Sequence, residues 1–205
     1  MVVIMKIEEF LEQLIDIKDV ALATLSIDNK PSNRIIDMMY LEDNCLFFLT
    51  ARGKSLYKEL QKNPYVSITV CKNNKAYSLS GNVEIVDKKY LDILFNYNRF
   101  MYDIYPGDTK NVLEVFKIYS WKGEFFDLNK MPIYRQSFSY NTTEDEKGLY
   151  RINKNKCISC GKCFNVCPQK CIDVRKKEIN KNNCLRCGAC LEKCQFNAIE
   201  NYSKI

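Results

Sequence analysis

The stretch from Cys157 to Cys194, CISCGKCFNVCPQKCIDVRKKEINKNNCLRCGACLEKC, holds two copies of one cysteine spacing. Cys157, Cys160, Cys163 and Cys167 form a C-x2-C-x2-C-x3-C run, and Cys184, Cys187, Cys190 and Cys194 repeat it 27 residues later. A [4Fe–4S] cube needs four soft thiolates at its corners. Three cysteines at two-residue intervals let a short loop wrap one side of such a cube, and the fourth thiolate must come from elsewhere. Two other readings compete. Four-ligand zinc needs no third and fourth cysteine in each run, and structural disulfides belong to secreted chains, for which nothing in this sequence argues. The spacing therefore points to two iron–sulfur clusters and to electron transfer.

Over about Tyr150 to Asn201 the runs resemble those of two-cluster bacterial ferredoxins. The resemblance implies crossed ligation, with Cys157, Cys160, Cys163 and Cys194 on one cluster and Cys184, Cys187, Cys190 and Cys167 on the other. Crossing also staples together a segment of about 50 residues, which is too small to bury much core. Gly161, Gly188 and Ala189 keep side chains small where the chain passes close to sulfur. Pro168 follows the last cysteine of the first run, whereas Gln195 takes that place in the second. Cys171 stands where the second copy has Ala198. It reads as a small buried residue beside a cluster, with a further ligand or redox thiol as the alternative. Cys45 and Cys71, in the apolar runs NCLFFLT and VSITVCK, read as core residues.

At 205 residues and 46% hydrophobic content, the chain has room for one or two folded domains. No apolar run reaches membrane-spanning length and the N-terminus lacks the order of a signal peptide, so the expectation is a cytoplasmic protein with no membrane partner. Residues 151–205 carry 12 Lys/Arg against 4 Asp/Glu, and residues 1–150 carry 19 against 21. Each oxidised cube with its thiolates carries about −2, which offsets much of that basic excess. Nucleic acid is accordingly not an expected partner. The chain has no histidine. That removes imidazole acid–base chemistry, Ser–His nucleophiles and His-ligated metal or haem.

Upstream, Met5–Ile17 places Ile7, Phe10, Leu11, Leu14 and Ile15 at helical spacing. Runs rich in β-branched and aromatic residues follow at Val20–Ile27, Ser32–Leu41, Cys45–Ala51, Tyr65–Cys71 and Lys75–Val86, with a turn at Asp28-Asn29-Lys30. Helices are expected at Gly53–Gln61 and Lys88–Phe100, and further strands at Val112–Tyr119 and Trp121–Leu128. Many strands with few helices imply a mainly β domain with flanking helices, a barrel or sandwich. No G-x-G-x-x-G opens a helix, so a Rossmann nucleotide site has no support. At Thr50-Ala51-Arg52-Gly53-Lys54-Ser55, hydroxyls, two cations and a glycine lead into a helix start, which suits a phosphate. A solvated helix start is the competing reading. Trp121 and the aromatics between Tyr97 and Tyr105 read as core or dimer contact, or as a cover for a bound ring.

This order of elements, carried by ALATLSIDNKPSNRIIDMMYLEDNCLFFLTARGKSLYKELQKNPYVSITV, resembles the pyridoxamine 5'-phosphate oxidase-like split β-barrel, a family of FMN-binding proteins, over about residues 5–130. The resemblance implies that the strand holding Arg34, Ile35, Ile36 and Asp37 lies along the isoalloxazine ring. It also implies that Thr50, Ala51, Arg52, Lys54 and Ser55 hold the FMN phosphate, and that the chain is a homodimer with FMN between subunits. Arg34 is either a ring or phosphate partner or a surface strand residue.

The expected organisation is a split-barrel domain over 1–135, a linker over 136–149 that includes the polar NTTEDEK stretch Asn141–Lys147, and a small α+β ferredoxin-like domain with two [4Fe–4S] clusters over 150–205. The function expected is a flavin and iron–sulfur oxidoreductase that moves electrons between an external redox partner, the clusters and FMN, acting on a small-molecule substrate. The alternative is a non-enzymatic electron carrier or redox sensor with a flavin-binding or dimerisation barrel.

Overall fold

In the computed structural model, residues 4–142 and 150–201 are described. Helix α1 (Ile7–Ile17) opens with Glu8 and Glu9 in its first turn, where acidic side chains suit the helix dipole. Its apolar face buries Phe10, Leu11 and Leu14. Strands β1 (Asp19–Leu25), β2 (Pro31–Asp37), β3 (Tyr40–Glu42), β4 (Cys45–Ala51), β5 (Tyr65–Lys72), β6 (Lys75–Ile85), β7 (Leu113–Asp127) and β8 (Tyr134–Tyr140) form one sheet. Its order is β2-β1-β5-β6-β7-β4-β3, with β8 paired to β7. Helix α2 (Ser55–Lys62) follows β4, and helices α3 (Lys89–Tyr97) and α4 (Met101–Ile104) follow β6. The result is a mostly β half-barrel with few helices, the split-barrel architecture.

Local chemistry fixes the hairpins. Two-residue turns at Asp43-Asn44 and Asn73-Asn74 have positive φ at both residues, 49° and 58° in the first and 54° and 58° in the second. Asn and Asp tolerate that conformation, and its twist matches the flanking strands. At the β1–β2 turn, Ser26 Oγ accepts the Lys30 N–H at 3.0 Å.

Several boundaries differ from the sequence expectation. β2 stops at Asp37 instead of running to Leu41, because Met38 and Met39 are drawn into the core and turn the chain toward β3. The Met38 N–H donates to the Lys18 carbonyl at 2.9 Å and the Met39 N–H to that of Phe47 at 3.0 Å. The two strands expected around Ser120 are one 15-residue strand, β7. Glycines allow its close packing: a Cβ on Gly81 would lie 2.6 Å from the Trp121 Cβ, and one on Gly123 2.7 Å from the Phe10 ring. The expected helix 88–100 breaks after Tyr97, where Asn98 leaves helical φ/ψ. Cys45 is buried as expected. Cys71 is exposed, because β5 alternates and Cys71 falls on its open face. Trp121 is a core residue whose indole N–H donates to the Asn44 carbonyl at 2.8 Å.

The expected linker also starts too early. Residues 136–140 lie in β8, where Phe138 stacks on Phe10 with centroids 4.4 Å apart and Tyr140 packs on Trp121. Residues 143–149, most of the NTTEDEK stretch, lie outside the described residues. No described helix is long and apolar enough to cross a membrane.

The chain divides into two compact units, Met1–Phe125 with Ser137–Thr142, and Phe126–Gln136 with Thr143–Ile205. In the second, β9 (Tyr150–Ile152) pairs with β12 (Ile199–Asn201), and β10 (Ile172–Asp173) with β11 (Glu178–Ile179). Short helices α5 (Lys162–Val166) and α6 (Ala189–Lys193) carry the middle of each cysteine run. The 27-residue repeat of the sequence is a repeat of the backbone too. Left-handed residues recur in register, Ser159 with Arg186 (58° and 56°), Gly161 with Gly188 (76° and 81°), and Lys170 with Asn197 (49° and 47°).

Candidate cofactor sites

Eight thiols of the second unit surround two cavities. One is lined by Cys157, Cys160, Cys163 and Cys194. The other is lined by Cys184, Cys187, Cys190 and Cys167. In space each run's last cysteine thus sits with the other run's first three. Among the described residues no three Cys, Asp or Glu side chains converge on a point that would hold a single ion. Thiols spread around a cavity suit a cube, whose corners hold four sulfurs apart, and the donor set is the all-thiolate one that such cubes take.

Backbone amides support these sulfurs equivalently. The Ser159 N–H points at Cys157 Sγ and the Arg186 N–H at Cys184 Sγ, both at 3.4 Å. Such donors stabilise thiolate and tune a bound cluster. The two cavities differ at Cys171, which lines the second, 3.5 Å from Cys167 Sγ. The hydrogen bond from Cys171, aided by the Arg186 amide and the charge of Arg135, draws the Cys184 thiol below its ordinary value. Cys171 is raised by that same bond and by burial, so it holds its proton. Burial pushes Cys190 up to about 11.

Two cations not singled out in the sequence grip the loops. Lys177 Nζ donates to the carbonyls of Lys154 and Cys157, at 3.0 and 2.7 Å. Arg135 Nη1 donates to those of Lys181 and Cys184, at 3.3 and 3.2 Å. The period of 27 was the signal for their relationship, since it carries one pair of acceptors onto the other.

In the first unit, Thr50 is the next-to-last residue of β4, Lys54 is the N-cap of α2 and Ser55 its first residue. The Thr50 hydroxyl is buried, with the residue 3% exposed, and has no hydrogen-bond partner among the described residues. Helix α2 has no acidic residue in its first turn and no side-chain cap. The Lys54 ammonium is exposed, with no acidic partner among the described residues. An orphan hydroxyl, an uncapped helix start and an unpaired ammonium fit a phosphate. Arg52 is drawn off to Glu114 at 2.6 Å. Gly53 has ordinary φ and open space around it, so its conformational freedom is not needed there.

Strand β2 stands at an end of the sheet order, so one edge has no strand partner among the described residues. Ile35 is 67% exposed on it. The Arg34 guanidinium bonds Glu59 and Thr24 at 2.8 Å each, and also Ser32. Asp37 is held by Lys18 at 3.3 Å and by the Asn98 amide at 3.1 Å.

A split β-barrel with a phosphate-type turn, followed in sequence by paired four-cysteine loops, defines a flavoprotein-type barrel carrying a dicluster ferredoxin module. The chain belongs to the pyridoxamine 5'-phosphate oxidase family, whose model matches residues 6–118, and a 4Fe–4S dicluster domain matches residues 149–195. Membership brings the cofactors of both, FMN with the barrel and two [4Fe–4S] clusters with the cysteine runs. A pyridoxine-5'-phosphate oxidase of Dictyostelium discoideum is 36% identical over 67 residues, covering 33% of this chain and 30% of that protein. The chain thus matches under a third of that relative's length. Among solved structures, a NimC/NimA family protein from Clostridium acetobutylicum is similar, with TM-score 0.57 and 17% identity over 65% of this chain and 91% of that one. A C. acetobutylicum protein related to general stress protein 26 of B. subtilis, of the pyridoxinephosphate oxidase family, gives TM-score 0.51 and 16% identity over 66% and 96%. At these identities the two structures establish the fold.

Proposed function

We propose that this flavin and iron–sulfur redox protein is an oxidoreductase acting on a small substrate. When bound, the clusters supply single-electron exchange with an external redox partner and FMN supplies two-electron exchange with the substrate. The observation that carries the reading is the pair of cavities, each lined by three cysteines of one run and the last of the other.

In this reading Cys157, Cys160, Cys163 and Cys194 hold one cluster, and Cys184, Cys187, Cys190 and Cys167 the other. Thr50, Lys54, Ser55 and the amides at the start of α2 bind the FMN phosphate, with Ala51 and Arg52 shaping the turn. The edge of β2 at Ile35 and Ile36 receives the ring, while Arg34 and Asp37 brace the strand from within. Exposed apolar side chains at Ile35, Tyr97, Phe100 and Ile104 support a homodimer in which a second copy covers this face. We place the protein in the cytoplasm, where thiols stay reduced.

Anaerobic purification followed by iron, sulfide and flavin assay tests the reading. About eight irons and one FMN per chain are expected, with turnover on a nicotinamide or with a reduced ferredoxin. Full cofactor content with no turnover on either donor would favour a carrier or sensor. Eight irons without flavin would remove the phosphate site.

A further inference from the structure

The two loops described above are closed by cations at equivalent acceptors. Lys154 and Cys157, gripped by Lys177, become Lys181 and Cys184 on adding 27, and these are the two that Arg135 grips. In each half the acceptors are the carbonyl of the run's first cysteine and that of the residue three before it.

The cations come from different places. Lys177 lies two residues before Ile179, which pairs with Ile172. In the other half Ile152 pairs with Ile199, so the position corresponding to Lys177 is Tyr150. Tyr150 brings no charge. Its hydroxyl lies by Gly188, 3.3 Å from where a Cβ would stand. The second loop takes its cation from outside the repeat, on the segment Phe126–Gln136. That segment is fastened to the unit by a reciprocal pair of bonds, from the Ile133 N–H to Gln169 Oε1 at 3.0 Å and from Gln169 Nε2 to the Ile133 carbonyl at 2.6 Å.

We propose that Lys177 and Arg135 are equivalent positioning residues, one for each cluster loop, and that Arg135 makes the cluster on Cys184, Cys187, Cys190 and Cys167 the higher-potential of the two. The inference rests on the cluster assignment given under Proposed function. A [4Fe–4S] cluster bound there would exchange single electrons, and its reduced form would carry one more negative charge than its oxidised form. A neighbouring cation favours that reduced form, the more so the less water screens it. Arg135 is 2% exposed, whereas Lys177 is only half-buried. Like charges at like carbonyls therefore weigh more on the second cluster.

The test is an anaerobic potentiometric titration of the full chain as wild type, Arg135→Gln, Arg135→Lys and Lys177→Gln. Iron is counted in each, and each wave is assigned from the shifted cysteine β-protons in NMR. Arg135→Gln is expected to lower only the wave of the Cys184 set. The expected size is a tenfold change in its reduced-to-oxidised ratio at fixed potential, about 59 mV for one electron. Arg135→Lys should restore most of it, and Lys177→Gln should lower only the other wave, by less. Arg135→Gln moving neither wave, or both equally, would overturn the proposal, as would a wild type whose Cys184 set titrates at the lower potential. If Arg135→Gln loses its iron, the wild-type order of waves and the Lys177→Gln shift decide. A wild type lacking about eight irons would instead sink the cluster reading itself.

Discussion

Arg34 and Glu59 meet at 2.8 Å between β2 and α2, with the carboxylate almost wholly buried. The pair ties the strand expected along the flavin to the helix expected at its phosphate. Removing one partner of such a pair leaves the other charge uncompensated. Glu59→Ala should lower stability by about 2–3 kcal/mol, discounted from a fully buried pair because Arg34 keeps some solvent contact. Glu59→Gln, which retains a hydrogen-bond acceptor, should lose less. Denaturant unfolding of both variants measures this, and equal, small losses would show that the pair is incidental.

Thr50 offers a separable test of the phosphate site. Its hydroxyl satisfies nothing in the protein alone, so Thr50→Val should leave the melting temperature of the flavin-free protein unchanged or raised. A hydrogen bond to a charged group contributes about 1.5 kcal/mol or more, so FMN affinity should fall about tenfold. Thr50→Ser should bind nearly as wild type. Flavin fluorescence quenching reports the affinity, and an unchanged Kd for Thr50→Val would place the phosphate elsewhere.

Crossed ligation is read out by a single cysteine. Cys194→Ala should alter the electron paramagnetic resonance signal of the cluster on Cys157, Cys160 and Cys163 and leave the other signal intact. Cys167→Ala should do the converse. Were each run to hold its own cluster, the two outcomes would exchange.

One pH dependence follows from the barrel. The Tyr90 hydroxyl donates to Glu42 at 2.7 Å, and this bond together with burial raises Tyr90 to about 12 from its usual 10. The raised value belongs to the folded state. The stability it contributes is present below pH 10 and is lost as pH rises through about 12. Tyr90→Phe should therefore flatten the fall in stability over that alkaline window and delete the latest-titrating tyrosine from an ultraviolet titration. A wild-type profile already flat there would refute the assignment.

The cluster half was legible because thiolate spacing is chemistry written directly in sequence, with few other uses. Its crossed grouping came with the family likeness and reappears as two cavities. In the barrel, periodicity found most strands, since alternation survives wherever one face is buried. It failed where tertiary packing overrode it: Met38 and Met39 turn a corner that no Gly or Pro marks, and β7 runs through Ser120 unbroken. Residues 136–140 fell within the expected linker, although the sequence there alternates well enough to be read as a strand. Arg34 came with the family likeness, and only coordinates reveal a carboxylate 25 residues away in sequence already holding it. Arg135 was invisible for the same reason, its partner Cys184 being 49 residues distant.

That last distance bears on ancestry and engineering alike. The duplicated half is not self-contained: one of its copies keeps its cation, and the other takes one from the Phe126–Gln136 segment of the same unit. A recombination point placed in the acidic stretch after Tyr140 would transplant two clusters but leave one loop without its counter-charge. The Phe126–Gln136 segment and the ferredoxin module have therefore to be inherited, or swapped, as a single cassette.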